Sequence, residues 1–255
     1  MKVLCPICDN KSGNYKYKVD DYSIYKCNNC GLEHTFPIPS QQLIIDFYNT
    51  YVDERADYSI VKRNAQNNLK HLERYEFNKD SKVLDFGCGE GKFVDIAGEN
   101  CYGIEIGNHK HKRIFNKFED LPIKKFDFIT LWGVLEHITD IKNIMKNIMK
   151  YLKKDGHIII TTVNAEGDIP YYYKPPEHLT YWTKDSLNIL AKYLDCEVIE
   201  VVPYQMQQFS NIYLKRLLSR TPKEYSDIII NANLELPEIV TVPTNELFTV
   251  FKKGI

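Results

Sequence analysis

Two Cys-x-x-Cys pairs, Cys5-Pro6-Ile7-Cys8 and Cys27-Asn28-Asn29-Cys30, stand eighteen residues apart. Each pair can place two thiolates on one tight turn, and two such turns supply four soft ligands in a tetrahedron, the pattern of a two-knuckle zinc ribbon. Four thiolates leave no open coordination position, so the expected Zn2+ on Cys5, Cys8, Cys27 and Cys30 is structural. A different chemistry begins at Lys82 with KVLDFGCGEGKF, where Asp85 closes in on three alternating glycines, Gly87, Gly89 and Gly91. A strand followed by a bare glycine turn and a helix start lets the backbone approach a ligand closely. Glu105 ends a second strand-like run fourteen residues beyond Gly91. A carboxylate at that strand tip can accept hydrogen bonds from both hydroxyls of a ribose, so a nucleoside-bearing ligand is the minimum inference. A dinucleotide fingerprint fits poorly, because Lys92 occupies the place of its third glycine.

The elements that must hold these groups alternate regularly. Tyr15–Val19 and Tyr22–Tyr25 read as the two strands of a small hairpin between the cysteine pairs, a unit too small to fold without its metal. Pro37-Ile38-Pro39-Ser40 ends that unit and caps a helix from about Gln41, with Leu43, Ile44, Phe47, Tyr48 and Tyr51 on one face. A second helical pattern, Ile60 to Tyr75, precedes the glycine motif. Phe126–Trp132 is a buried strand running into Gly133-Val134-Leu135-Glu136-His137, then a helix with Ile141, Ile144, Met145, Ile148 and Met149 inward. Lys153-Lys154-Asp155-Gly156 reads as the stop of that helix, and His157–Thr162 as the next strand. This rhythm implies a parallel sheet with right-handed crossovers, and ligands at the carboxyl ends of its strands. Asp85, Glu105, Trp132 and Thr162 lie at those ends. Cys88, Cys101 and Cys196 sit in apolar patterns and read as core fillers.

Composition narrows the function. The 255 residues are 44% hydrophobic, enough for one good core and a small satellite, and 33 basic against 34 acidic side chains leave a net charge of −1. Bulk charge therefore gives no nucleic-acid footprint. No run of eighteen apolar residues exists to span a membrane. Seven cysteines without a secretory leader point to a reducing compartment, and the cytoplasm is the expected location.

By Trp182 the chain resembles the class I S-adenosylmethionine-dependent methyltransferases that carry an N-terminal zinc ribbon and act in bacterial sugar and secondary-metabolite pathways. The matching pieces are Cys27-x-x-Cys30-Gly31-Leu32, the tyrosine-rich helix, VLDFGCGEGKF, Glu105, FDFITLWGVLEH, and Pro176-Glu177-His178-Leu179-x-x-Trp182-Thr183. The resemblance implies an α/β fold: a seven-stranded Rossmann-like methyltransferase sheet, mostly parallel, whose last hairpin is antiparallel (Cys196–Val202 against Leu247–Phe251). It divides the chain into a zinc ribbon (1–36), a helical lid or linker (37–76) and a methyltransferase domain (77–255), with 204–245 as an insertion that could choose the substrate. It implies S-adenosylmethionine as cofactor, held by Asp85, Gly87, Gly89, Gly91, Glu105 and Trp132. Phe118, in the loop that borders the adenine, either stacks on the base or packs in the core. Lys62 or Arg63 either meets the methionine carboxylate or belongs to a solvated face.

Methyl transfer to an alcohol needs a base near the mouth. His137 is a candidate, with Glu136 to orient it, and His178 follows a proline-rich loop that could cover the site. Structural hydrogen bonding is the competing role for each histidine. A catalytic cation on Glu136, His137 and His178 is a further option, although Gly133 replaces the first acid of the Glu-x-x-Glu-His pattern. Tyr171, Tyr172 and Tyr173 beside Lys174 could form an aromatic wall for a sugar or a phosphorylated intermediate. The leading reading is thus an O-methyltransferase acting on a small polar acceptor, such as a saccharide, a sugar-nucleotide or another precursor of a surface polysaccharide. The alternatives are an RNA base methyltransferase with a zinc ribbon and a ribbon scaffold without chemistry.

Overall fold

In the computed structural model the described residues are 3–50, 58–107, 109–167, 172–219, 221–232 and 235–254; Tyr51 and Tyr171 fall outside them. The chain opens with β1 (Gly13–Val19), β2 (Tyr22–Cys27) and β3 (Glu33–Phe36), an antiparallel meander. Helix α1 (Gln41–Thr50) follows Ser40, whose hydroxyl accepts from the Leu43 amide at 3.2 Å and so caps it. Then come α2 (Tyr58–Glu73), β4 (Val83–Phe86), α3 (Lys92–Ile96), β5 (Cys101–Ile104), β6 (Ile114–Phe115), β7 (Phe126–Trp132), α4 (Ile141–Met149) and β8 (Leu152–Val163). The chain ends with β9 (Thr180–Tyr181), α5 (Lys184–Tyr193), β10 (Cys196–Phe209), α6 (Ser210–Leu218), α7 (Lys223–Asn231) and β11 (Ile239–Lys253).

Seven strands form one sheet in the order β10-β11-β8-β7-β4-β5-β6. The pairs among β4 to β8 are parallel, and β11 runs antiparallel to both its neighbours. This is the expected Rossmann-like sheet. Its central strands are apolar on both faces because helices cover both. Successive side chains alternate sides: Leu84, Ile129, Leu131, Ile158 and Ile160 pack with Ile141, Met145 and Ile148 of α4 and with Leu187 and Leu190 of α5. Val83, Phe128, Ile159 and Phe248 face the other way, onto Ala65 and Leu72 of α2 and Phe93 and Val94 of α3. Among the described residues no helix is long and apolar enough to cross a membrane.

Three features depart from the sequence reading. The last hairpin is far longer than expected: β10 pairs with β11 from Cys196↔Lys253 to Phe209↔Ile239, so the helical insertion shrinks to residues 210–238. Helix α4 stops at Met149, and Lys153–Gly156 is instead a bulge in β8, with Phe126↔Leu152 followed directly by Phe128↔His157. Gly156 is needed there, since a Cβ would lie 2.9 Å from the Asp127 carbonyl oxygen. Finally, the ribbon sheet has four strands where a two-stranded hairpin was expected. Strand β3 pairs with β2 on one side and, on the other, with β9, which lies between β8 and α5 in the chain.

Candidate active site and cysteine cluster

The glycine turn and Glu105 form one structure. Gly87, Gly89 and Gly91 all have positive φ (73°, 52° and 82°). Gly87 and Gly91 are also crowded: a Cβ would lie 2.7 Å from Val134 at the first and 2.7 Å from Ile114 at the second. At Gly89 nothing lies within 4 Å of that position, so this glycine alone borders open space. Its amide donates to Glu105 Oε2 at 2.9 Å, and the Gly107 amide donates to Oε1 at 3.0 Å. Each carboxylate oxygen retains acceptor capacity for a further hydroxyl. Asp85 lies within the protein and is 2% exposed; its Oδ1 accepts from Thr130 Oγ1 at 2.7 Å. Burial pushes its carboxyl up to about 7, with the charge of Glu105 adding to the effect. Asp85 therefore ties the end of β4 to β7.

Trp132 ends β7 with its ring edge-on to Phe93 at 5.3 Å, and its buried Nε1 has no hydrogen-bond partner among the described residues. An unpaired buried donor at a strand end suits a ligand acceptor. Phe118 is engaged by its own chain: it stacks on Tyr151 at 4.7 Å and lies nearly parallel to Phe86 at 5.7 Å. Lys62 and Arg63 are exposed on α2, as a solvated face requires.

Glu136 and His137, adjacent in sequence, come together with the distant His178. One ligand atom from each lies within 4.8 Å of the others. Glu136 and His137 sit in a 3-10 turn, Leu135–His137, directly after β7. The two imidazoles meet edge-to-face at 4.9 Å. His137 Nδ1 bonds to the carbonyl of Glu177 at 2.7 Å and His178 Nδ1 to that of Tyr172 at 2.9 Å. A carbonyl can only accept, so both Nδ1 atoms carry the proton, and in the neutral rings the lone pair resides on Nε2. Burial lowers His137 from its ordinary value and so favours the neutral ring. Glu136 is 3% exposed, accepts from Thr162 Oγ1 at 2.8 Å, and is pushed up to about 7 by burial. The cluster can accept a proton near neutrality, and its donor set could also hold a cation.

The sequence reading missed Glu246. It lies opposite Val163 at the edge of the core hairpin, where burial and the charge of Glu136 push it up to about 8 while Lys174 opposes. An acid directly ahead of the apolar run Leu247–Phe251 was the available signal. The tyrosine wall is divided in role. Lys174 lies over the Tyr172 ring at 5.8 Å, whereas Tyr173 is buried and donates to Glu33 of the ribbon at 2.5 Å.

The four cysteine sulfurs lie within 4.8 Å of one another, with Cys5–Cys30 at 3.6 Å and Cys8–Cys27 at 3.5 Å. Tetrahedral zinc at about 2.3 Å from each sulfur needs edges of roughly 3.8 Å, so the donor set fits that ion. The two knuckles are built alike: the residue after each second cysteine, Asp9 or Gly31, has positive φ (57° and 73°). The Cys30 thiol donating to Cys5 pulls Cys5 down to about 5, while that donation and burial push Cys30 up.

A family model described as a methyltransferase domain matches residues 56–201. An uncharacterized protein of Methanocaldococcus jannaschii is 31% identical over 166 residues, covering 61% of this chain and 74% of its own. The ubiquinone biosynthesis O-methyltransferase of Coxiella burnetii is 27% identical over 115 residues, 38% of this chain and 49% of that one. This chain spans about half the length of several such relatives. Among solved structures, the Burkholderia thailandensis 1,6-didemethyltoxoflavin-N1-methyltransferase, bound to 1,6-didemethyltoxoflavin and S-adenosylhomocysteine, aligns over 94% of this chain and 99% of its own. The TM-score there is 0.53 at 14% identity. A chain of the complex between the Haloferax volcanii Trm112 methyltransferase activator and a methyltransferase gives 0.55 at 13% identity, over 77% and 92%. At such identity these two speak for the fold.

Proposed function

Because this chain belongs to the methyltransferase-domain family, we propose that it moves the methyl group of S-adenosylmethionine onto a hydroxyl of a small polar acceptor, a saccharide or nucleotide-linked precursor of a bacterial surface polysaccharide. The observation that carries the reading is a juxtaposition. The shelf made by Gly89 and Glu105 and the proton-accepting cluster of Glu136, His137 and His178 lie at the carboxyl ends of one parallel sheet. S-adenosylmethionine, when bound, supplies a methyl carbon already activated by its sulfonium. Glu105 would accept from the ribose hydroxyls, the bare backbone at Gly89 would let the ligand lie close, and the Trp132 indole N–H would donate to it.

His137 Nε2 would take the acceptor's proton as the oxygen–carbon bond forms. Its Nδ1–H bond to the Glu177 carbonyl keeps the ring in the competent tautomer. The imidazolium that results would be stabilised by Glu136, whose Oε1 stands 3.9 Å from that nitrogen. Glu246 and Lys174 line the same end of the sheet and offer a carboxyl acceptor and a cation to a polyhydroxylated or phosphorylated molecule. A net charge of −1 supports a small acceptor over RNA. Cys5, Cys8, Cys27 and Cys30 would hold a structural zinc.

The test incubates the purified protein with methyl-labelled cofactor and separate sugar-nucleotide, cell-envelope and RNA fractions. Label in the first two supports the reading. Label confined to RNA overturns it.

A further inference from the structure

The segment 172–183 carries Glu177 and His178, and it is bound to the ribbon at four successive places. Tyr173 Oη donates to buried Glu33 at 2.5 Å, and Glu33 also holds Lys16 at 2.7 Å. Thr35 donates its amide to the Leu179 carbonyl at 2.8 Å and its hydroxyl to the His178 carbonyl at 3.1 Å. Glu33 and His34 pair with Tyr181 and Thr180 as the β3–β9 ladder. Thr183 Oγ1 donates to the Cys30 carbonyl at 3.2 Å. On its other side the segment is tied to the catalytic turn, since Leu179 N donates to the Glu136 carbonyl at 2.7 Å and the Glu177 carbonyl takes the His137 ring. The ribbon is thus the outer wall of a two-sided clamp on His178.

We propose that Thr35 is a positioning residue for His178: the ribbon, through the Thr35 hydroxyl, fixes the backbone from which the imidazole reaches His137. Thr35 is buried (1% exposed), and its hydroxyl acts through the His178 carbonyl. That carbonyl also accepts from Tyr181 Oη at 3.0 Å. Two hydroxyls on one oxygen leave its peptide plane little freedom, and the plane sets where the Cα–Cβ bond of His178 points. The bond from His178 Nδ1 to Tyr172 then selects the tautomer. The inference rests on the reading of Glu136, His137 and His178 as the proton-accepting cluster, but its test does not need turnover.

The experiment compares wild type, Thr35→Val and Thr35→Ser in the full chain with its ribbon metal bound. Nitrogen-15 shifts of the His178 ring report its tautomer, and hydrogen exchange reports the amides of 172–183. Thr35→Val should mix the two tautomers at His178 and speed exchange across 178–181 at least tenfold. Thr35→Ser, which keeps the hydroxyl, should restore both, and affinity for S-adenosylhomocysteine should stay within twofold in all three. Should Thr35→Val fail to fold, Tyr173→Phe, which removes only the bond to Glu33, should produce the same changes in smaller measure. Wild-type shifts and exchange rates in a folded Thr35→Val overturn the clamp. Loss of turnover in His137→Ala would meanwhile leave the proton-acceptor reading standing, so the two ideas fail separately.

Discussion

The amide of Gly89 donates to Glu105 Oε2 at 2.9 Å, so the turn after β4 and the acid after β5 form a single structure. Two charge-assisted bonds from Glu105 to a ribose are worth roughly 3 kcal/mol together. Glu105→Ala should therefore weaken binding of S-adenosylhomocysteine about 100-fold by calorimetry, with little change in circular dichroism. An affinity within threefold of wild type would remove Glu105 from the site.

The three glycines should separate by phenotype. A Cβ at Gly87 would strike Val134 at 2.7 Å in a left-handed backbone, so Gly87→Ala should lose about 2–4 kcal/mol in urea titrations. Gly89 has open space beside it, so Gly89→Ala should lose only about 1–2 kcal/mol, the cost of positive φ. Its methyl would stand on the shelf, and cofactor affinity should fall more than stability does. Equal stability losses at both positions would contradict the steric account.

Asp85 gives a pH test with a definite sign. Its carboxyl is held at about 7 in the fold against an ordinary value of 3.8, so the native state keeps a proton that the unfolded chain has released. Its contribution to stability is full below about 3.8 and is lost as pH rises through 7, with a swing on the order of 3 kcal/mol between pH 5 and pH 8. Asp85→Asn carries no charge at any pH and still offers an oxygen to Thr130. Between pH 5 and pH 8 the stability of wild type should fall relative to this variant by that amount. Glu136 contributes the same slope to both proteins, and His137, lowered by burial, contributes the opposite slope to both below about 6.5, so the difference isolates Asp85. Parallel pH profiles would show that Asp85 is ionised in the fold.

Local pattern made the cysteine pairs, the glycine turn and the alternation of strand and helix legible, because each is written in consecutive residues. Non-local pairing was not. Strand β9 is Thr180–Tyr181 alone, too short for a periodic signal, and it exists only because β3 offers a free edge. The outer half of the last hairpin was hidden by Pro203 and Pro243, which argue against a strand. The fold accommodates both on the β10–β11 ribbon, with a register shift between Pro203 and Gln205. Lys153–Gly156 carries helix-stop residues, but Asp155 adopts φ 59° in a strand bulge instead. Glu136, His137 and His178 could be named from the sequence, yet their meeting depends on Tyr172 and Glu177 lending carbonyls, which no side-chain pattern encodes.

The pH dependence of turnover should follow His137. A base must be neutral to accept a proton, and burial lowers this ring's value, so the acidic limb of kcat should lie below 6.5. His137→Ala should reduce kcat at least 100-fold while affinity for S-adenosylhomocysteine stays within threefold. An acidic limb unchanged in the residual activity of that variant would assign the proton to another group.

The cysteine cluster should prove to be a fold-wide support and not a detachable ornament. Mass spectrometry of the native protein should find one zinc per chain, and Cys27→Ser should abolish it. Structural zinc in such ribbons contributes at least several kcal/mol, and a chain of this size moves about 2–4 °C per kcal/mol, so the melting temperature should fall by roughly 10 °C or more. The ribbon shares a core with the main sheet: Cys5, Ile7, Cys27, Cys30 and Leu32 pack in one cluster with Leu131, Leu135 and Trp182. Strand β3 pairs with β9, and the Cys30 carbonyl anchors Thr183, which caps α5 through Ser186. Loss of the metal should therefore lower a single cooperative transition and loosen the start of α5, as read by hydrogen exchange at 184–187. Two separate transitions, with the second at the wild-type temperature, would show instead that the ribbon folds and melts on its own.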